Sequence, residues 1–513
     1  MDLTRRSALA AGTAAGALAL APQVPRAQTG PRVLRIVSPW EITGLDPARS
    51  GYVFARLQVL ETLVGADDGG VAVPELAQSW SLSDDRLTWR FVLRAGATFH
   101  DGTAVDAAAV IRSLERARRA PGILANAPVA AIAAEGGAVV IRTERPFNSL
   151  PAFLAHHTTV ILAPAGQDEA GAVKSIIGSG PYRVTELTPP QRVDVARFDG
   201  WWGKAPAIER ASYLAVGRGE TRAAMAESGQ AEIVTTLAPE TVDRLKRQSQ
   251  LDVRITPIPR TRVLKLNCGS PFFSDLRVRK AISAALDRTG MATALLRSPP
   301  SAANQLFPPG LSEWHLAGAP APTRDLARAR ALLAEAGWRP GVDGILARDD
   351  RAFSVTLRTF SDRPELPVLA TAMQAQLREI GIDVKVAIVN SGEIPAGHRD
   401  GTLEMALLAR NFSLVPDPLG TMLQDFGPQG GDWGAMNWSS AELTGALDSL
   451  AGAADPAARA RLRRRVAEIL DAELPVIPVA WYDYPVAINR RVAGVRVDPF
   501  ELSYHLAEMR WAG

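Results

Sequence analysis

Cysteine is almost missing from this chain: Cys268 is the one thiol in 513 residues. A lone thiol closes no internal disulfide and completes no Cys-x-x-Cys site, which excludes disulfide scaffolds, zinc ribbons and dithiol redox relays. Cys268 itself reads as a small buried residue near a strand end. Catalytic signatures are absent too. There is no Gly-x-Ser-x-Gly elbow, no phosphate loop ending in Gly-Lys-Ser/Thr and no His-Glu-x-x-His helix. Histidine is scarce, with 6 in the chain, and only His156 and His157 adjoin. Read as strand residues they point to opposite faces, which suits a structural or ligand-facing role better than a shared metal. Asp67-Asp68, Asp84-Asp85 and Asp349-Asp350 stand beside glycine, serine or arginine, as exposed turns do. No residues converge as acid, base and nucleophile, so the chain is expected not to be an enzyme. It also lacks a long basic block. The densest run, Arg461 with Arg463-Arg464-Arg465, lies in a helical pattern reaching Glu468 and Asp471 and reads as a solvated face. At a net charge of +3, no nucleic-acid partner is expected.

What is present begins at the N-terminus. Thr4-Arg5-Arg6-Ser7 leads into an apolar stretch from Ala8 to Ala21, followed by Pro22 and a small-residue segment at 25–28. That order describes a secretory signal peptide over residues 1–27, cleaved after Ala27, too short to span a bilayer. The paired arginines resemble a twin-arginine signal, although Ala8 stands where a bulky apolar residue is usual; the general secretory route is the alternative. The mature product is expected to be soluble and periplasmic. With 47% hydrophobic and 22% charged residues, the remainder is ordinary globular chain, long enough for more than one lobe. Strands are expected at Val33–Val37, Leu87–Leu93, Val139–Thr143, Phe353–Thr359 and Asp383–Val389. Helices are expected at Asp106–Arg118, Leu276–Asp287, Asp325–Ala336, Val368–Ile380, Ala441–Leu450 and Pro456–Leu470. Their alternation predicts an α/β fold on mixed sheets.

A long run of matched positions then carries a resemblance. Pro74-Glu75-Leu76-Ala77-Gln78-Ser79-Trp80 and Leu87-Thr88-Trp89-Arg90-Phe91 through His100-Asp101-Gly102 are followed by Gly178-Ser179-Gly180-Pro181-Tyr182, Phe198-Asp199-Gly200-Trp201-Trp202-Gly203 and Leu276-Arg277-Val278-Arg279-Lys280. The order and spacing resemble the peptide/nickel family of extracellular solute-binding proteins, family 5, over residues 33 to 511. Most of these positions read as scaffold: Trp80, Trp89 and Phe91 for a core, Gly178 and Gly180 for close backbone approach.

The resemblance implies a two-lobed periplasmic-binding-protein fold of type II with an extra inserted domain and a hinge between the lobes. Lobe I maps to 28–50, 178–262 and 480–513, the inserted domain to 51–177, and lobe II to 263–479. It implies a substrate-binding component of an ABC importer, a monomer without cofactor that binds a short peptide or peptide-sized polar solute and meets permease subunits in the inner membrane. Alternatives are a nickel-chelate or opine-type carboxylate ligand in the same family, a sensory partner, and, from another class, a periplasmic hydrolase.

Candidate ligand residues follow from the same resemblance. Arg410, Asn411, Phe412 and Asp417 lie around an Asp-Pro pair, with no acid at Ser413-Leu414 to clamp a peptide amine. Asp417-Pro418 reads equally as a turn element. Phe412 takes the place of a ligand-stacking tryptophan, and His157 that of an arginine gripping a chelator carboxylate. The segment 427–434 has no histidine for a metal, so no metal is expected. Trp40, Tyr52, Trp433 and Trp438 are candidate walls. Arg410 stands in the apolar run Met405–Ala409 and needs an anion, supplied by protein or by ligand.

Overall fold

The β-branched run beginning at Val33 forms the expected strand, and that strand lies inside a sheet of ten. The computed structural model describes residues 32–513 apart from Pro121, Pro322 and 414–416; the leader reading for 1–27 falls outside the described residues. In chain order the ten strands are β1 Val33–Ser38, β2 Tyr182–Thr188, β3 Arg192–Arg197, β4 Arg210–Ala215, β5 Ile233–Thr235, β6 Leu251–Leu266, β7 Ser354–Thr359, β8 Asp383–Ile388, β9 Met405–Asn411 and β10 Val476–Asn489. Across the sheet they run β8-β7-β9-β6-β10-β5-β1-β4-β3-β2.

Two strands dominate. β6 has 16 residues and β10 has 14, and they pair antiparallel from Leu251 opposite Asn489 to Lys265 opposite Val476. At one end of this pair β5 bonds to β10 through Ile233–Thr235. At the other end β9 bonds to β6 through Arg260–Leu266. One sheet thus carries two groups of strands on a shared pair. Where the β9 group begins, the register of β6 and β10 shifts twice, between Ile258 and Thr261 and between Arg262 and Val263. Pro257 and Pro259 offer no N–H to the ladder there, and such bulges bend a strand and re-aim its side chains.

Aspartates set the helix starts. Asp106, Asp275, Asp325 and Asp455 each accept a backbone N–H of the first turn, which satisfies a donor that the helix leaves free. One such cap overturns an expectation. The helix read over Leu276–Asp287 ends at Ala285, because the Asp287 side chain accepts from Gly290 N and opens a second helix, Arg288–Ala294.

A separate antiparallel sheet of four strands, in the order Ala77–Leu82, Thr88–Leu93, Ala138–Thr143 and Val129–Glu135, buries Trp89 and Phe91 together with residues of the helix Ala107–Arg119. Gly178 and Gly180 press the following segment onto residues 58–60. A Cβ on either would fall 2.0 Å from Val59 O or 2.1 Å from Gln58 O, so no side chain fits. Cys268 is buried as expected. The arginine run divides: Arg461, Arg464 and Arg465 are exposed, but Arg463 turns inward to pair with Glu313 beside Trp314. Among the described residues no helix is long and apolar enough to cross a membrane.

Candidate ligand-binding site

β7 runs parallel to β8 and β9, and β1 runs parallel to β4 and β5. In open α/β sheets ligands collect beyond the carboxyl ends of such strands. A cavity of about 280 Å³ lies there. Trp40 follows β1, Phe360 and Arg363 follow β7, Ser391 follows β8, and Arg410 and Asn411 end β9. Arg260 enters from the bulged part of β6. The helix Pro47–Arg56, capped by the Asp46 side chain with Pro47 in its first turn, contributes Tyr52 and Arg56. His157 and Trp433 complete the wall.

The charge balance of this wall is one-sided. Arg56, Arg260, Arg363 and Arg410 line the cavity, and among the described residues no carboxylate does. Behind it Glu501 accepts from Arg260, from Asn411 Nδ2 at 3.0 Å, and lies 3.8 Å from Arg56 Nη2. Its backbone carbonyl accepts from Arg56 Nε at 2.5 Å. Burial pushes the Glu501 carboxyl up, but Arg260, Arg56 and Arg363 outweigh burial and hold it below the usual range. Arg363 donates to Tyr482 OH at 3.1 Å and stacks over Trp40 at 4.6 Å. Burial, with Arg363 close by, draws Arg260 down to about 10, still charged near neutrality. The Nε and Nη1 of Arg260 and the Nε1 of Trp40 are buried without a partner. These three are donors; behind the wall Glu501 Oε1 is a buried acceptor without a hydrogen bond.

Of the residues singled out in the sequence, Trp40, Tyr52, His157, Arg410, Asn411 and Trp433 line this cavity. Phe412, Asp417 and Trp438 do not. Phe412 is 1% exposed and packs edge-on against Phe307 at 5.5 Å, so the core rather than a ligand takes its ring. Asp417 accepts from Leu419 N at 3.0 Å at the start of the helix Leu419–Phe426 and from Ser149 Oγ at 3.0 Å, the work of a turn. The Trp438 indole donates to Glu473 at 3.1 Å. Arg410 reaches both oxygens of the buried Asp425, so its anion comes from the protein. The histidine pair is not on a strand. His157 opens a single helical turn, and the two rings approach to 4.0 Å. Burial lowers His156 to about 3; burial, the neighbouring His156 and Arg56 hold His157 well below its ordinary value, so both are neutral. Sequence reasoning passed over Arg56, Arg260, Arg363 and Glu501. The one local signal was Pro257-Ile258-Pro259-Arg260-Thr261-Arg262, two prolines and two arginines together in the middle of a long strand.

A second cavity of about 350 Å³ shares His157 and has the opposite character. Glu61, Glu75, Asp498 and Glu508 line it, with Trp201 and Trp202, and among the described residues no lysine or arginine does. Here the carboxylates are served from within. Glu61 accepts from both indoles at 3.0 Å and from Ser179 Oγ at 2.7 Å. Asp498 accepts from the N–H groups of Phe500, Leu502 and Ser503. Burial pushes Glu61 and Glu75 up, and Glu75 adds repulsion on Glu61. Nearby, Asp68, Asp498 and His505 place ligand atoms within 4.8 Å of one another. Arg496 already supplies a cation there, 3.2 Å from Asp68 and donating to His505 Nδ1 at 2.8 Å, which does not suit a metal.

Known proteins share this architecture. Residues 71–433 match the bacterial extracellular solute-binding proteins, family 5 Middle. The glutathione-binding protein GsiB of Salmonella paratyphi A is 26% identical over 491 residues, 89% of this chain and 90% of that protein. NikA from Brucella suis, solved with Fe(III)-EDTA, is 25% identical with a TM-score of 0.83, covering 94% of this chain and 100% of that one. AppA from Bacillus subtilis, solved with a nonapeptide, shares the fold at 19% identity and a TM-score of 0.83, over 94% of this chain and 99% of that one. The fold is therefore the two-lobed α/β fold of these binding proteins, and the chain belongs to family 5 of the bacterial extracellular solute-binding proteins.

Proposed function

We propose that this chain is the periplasmic binding component of an ABC importer and that its solute is a small organic molecule bearing more than one carboxylate. The carrying observation is a set of unanswered donors: of the four arginines lining the cavity, Glu501 engages Arg56 and Arg260 and Asp425 engages Arg410 from behind, yet two groups of Arg260 and the indole of Trp40 still require an acceptor. A buried donor left without an acceptor costs about 1–3 kcal/mol, so an anion is favoured over a neutral guest. Glutathione and EDTA, named for two of the relatives, are both polycarboxylates.

In this reading lobe I comprises 28–50, 178–262 and 480–513, lobe II comprises 263–479, and 51–177 is the inserted domain. The bulged middle of β6 and β10 is the hinge on which they close over the solute. The guest leaves unaltered, as a monomeric binder without a cofactor delivers it to the permease. Thermal shift against glutathione, Fe(III)-EDTA, an opine and a neutral capped dipeptide tests this. A ligand at about 100 times its Kd adds about 2.7 kcal/mol of stability. Stabilisation by the polycarboxylates alone is expected, with the compound recovered intact by mass spectrometry. Response to the neutral dipeptide alone, or recovery of a chemically changed compound, would overturn the reading.

A further inference from the structure

Trp433 reaches the cavity from segment 427–434, which contains Gly427, Gly430, Gly431 and Gly434. So many glycines make ordering this backbone entropically costly. Its internal bonds are local turns, such as Gly430 N to Gly427 O and Gly434 N to Gly431 O. One long-range tie comes from β6. The fully buried Lys265 Nζ donates to Gly431 O at 2.7 Å and to Asp432 O at 3.0 Å, and it meets His398 Nδ1 at 2.9 Å. An ammonium has three protons, and this one has three acceptors.

We propose that Lys265 is the positioning residue of the ligand cavity, tying the Gly431–Asp432 backbone to β6 and so holding Trp433 as a wall. The proposal rests on reading the cavity as the ligand site. It gives a function to a cation that the cavity itself does not contain. Arg399 adds a second tie, through the Asp432 side chain at 2.5 Å.

The surroundings make this tie sensitive to pH. Burial draws Lys265 down to about 7; Asp425 and Asp432 oppose that, Arg410 adds to it, and Cys268 opposes it weakly. His398, on the helix Glu393–Arg399, is lowered by burial and by Lys265 and so accepts as a neutral ring, with Asp432 raising it and Arg399 lowering it. Burial raises Asp425, which Arg410 engages. As pH rises through the Lys265 value the ammonium becomes an amine, and charge-assisted bonds become ordinary ones of roughly half the strength.

The test uses the full chain without ligand. Hydrogen exchange of 427–434, corrected for intrinsic rates, is read with acrylamide quenching of Trp433, isolated by subtracting Trp433→Phe. Lys265→Met is expected to raise exchange in this segment about tenfold at acid pH. The unaltered chain should do so on passing to alkaline pH, and Lys265→Arg should stay protected throughout. A folded Lys265→Met with unchanged exchange and quenching overturns the proposal; if that variant does not fold, a flat pH profile of the unaltered chain overturns it. Titration with Fe(III)-EDTA and glutathione separates the two readings. A loosened segment in a chain that binds neither probe keeps the latch and removes the ligand reading. Binding with the segment unmoved does the reverse.

Discussion

Two cavities of similar size share His157, one of about 280 Å³ walled by arginines and one of about 350 Å³ walled by carboxyl groups. The acidic one is the larger, yet its carboxyl groups are answered by the protein itself, by indole, hydroxyl and backbone donors and, at Glu508, by Arg496. The basic one keeps donors of Arg260 and Trp40 without acceptors. Volume does not separate a binding cavity from a structural one. What separates them is whether the charged groups around the space are already answered. Among the described residues the acidic cavity leaves only the neutral His505 Nε2 without a partner, whereas the basic one leaves donors of a guanidinium unanswered, and an unpartnered buried donor is costly until something fills it.

The largest effect expected from breaking this contrast is at Glu501, the carboxylate that supports the basic wall. Glu501→Ala leaves Arg260 buried without its anion and should cost about 3–5 kcal/mol in urea unfolding. A loss below about 1 kcal/mol would mean that the arginines are already compensated elsewhere. Next comes Arg363→Ala, which removes a guanidinium facing the cavity and should weaken a polycarboxylate probe about 10- to 100-fold by calorimetry. An unchanged Kd would place the anion on another wall.

The acidic cavity should respond to pH instead. Its raised carboxyls keep a proton in the folded state that the unfolded chain releases. Stability is therefore fullest below the ordinary carboxylate range and falls as pH climbs from there toward the raised values. Glu61→Gln should flatten that decline, seen in unfolding midpoints between about pH 5 and about pH 8, and should leave probe binding alone. The smallest effect is expected at Trp438→Phe, which loses one bond to Glu473, about 1 kcal/mol, without touching affinity.

How far the sequence could be read depended on how local the signal was. Asp106, Asp275, Asp325 and Asp455 announce helix starts because a cap needs only the next three residues. Asp287 is the same signal at the end of an apparent helix, and there periodicity absorbed it as the last helical residue. The cavity was half legible. Of its lining, Trp40, Tyr52 and Trp433 were singled out by aromatic character, Arg410 as one polar residue in an apolar run, and His157 and Asn411 by their place in the family resemblance. Phe412 looked like a ligand platform because of its neighbours, but the choice between cavity and core depends on Phe307, more than a hundred residues away. Arg56, Arg260, Arg363 and Glu501 meet only after the chain has crossed the sheet repeatedly. No spacing along the chain records that meeting.

The bulge of β6 has a consequence for the order of events during capture. When two bodies swing about a shared axis, points on the axis travel least. In the proposed reading Arg260, in the stretch where β6 first slips register, sits at that pivot, so its fork would face an arriving anion in nearly the same place whether the jaws are wide or shut. A guest docked there first would be gathered in by the walls that move, Trp40 and Arg363 among them, rather than released by their motion.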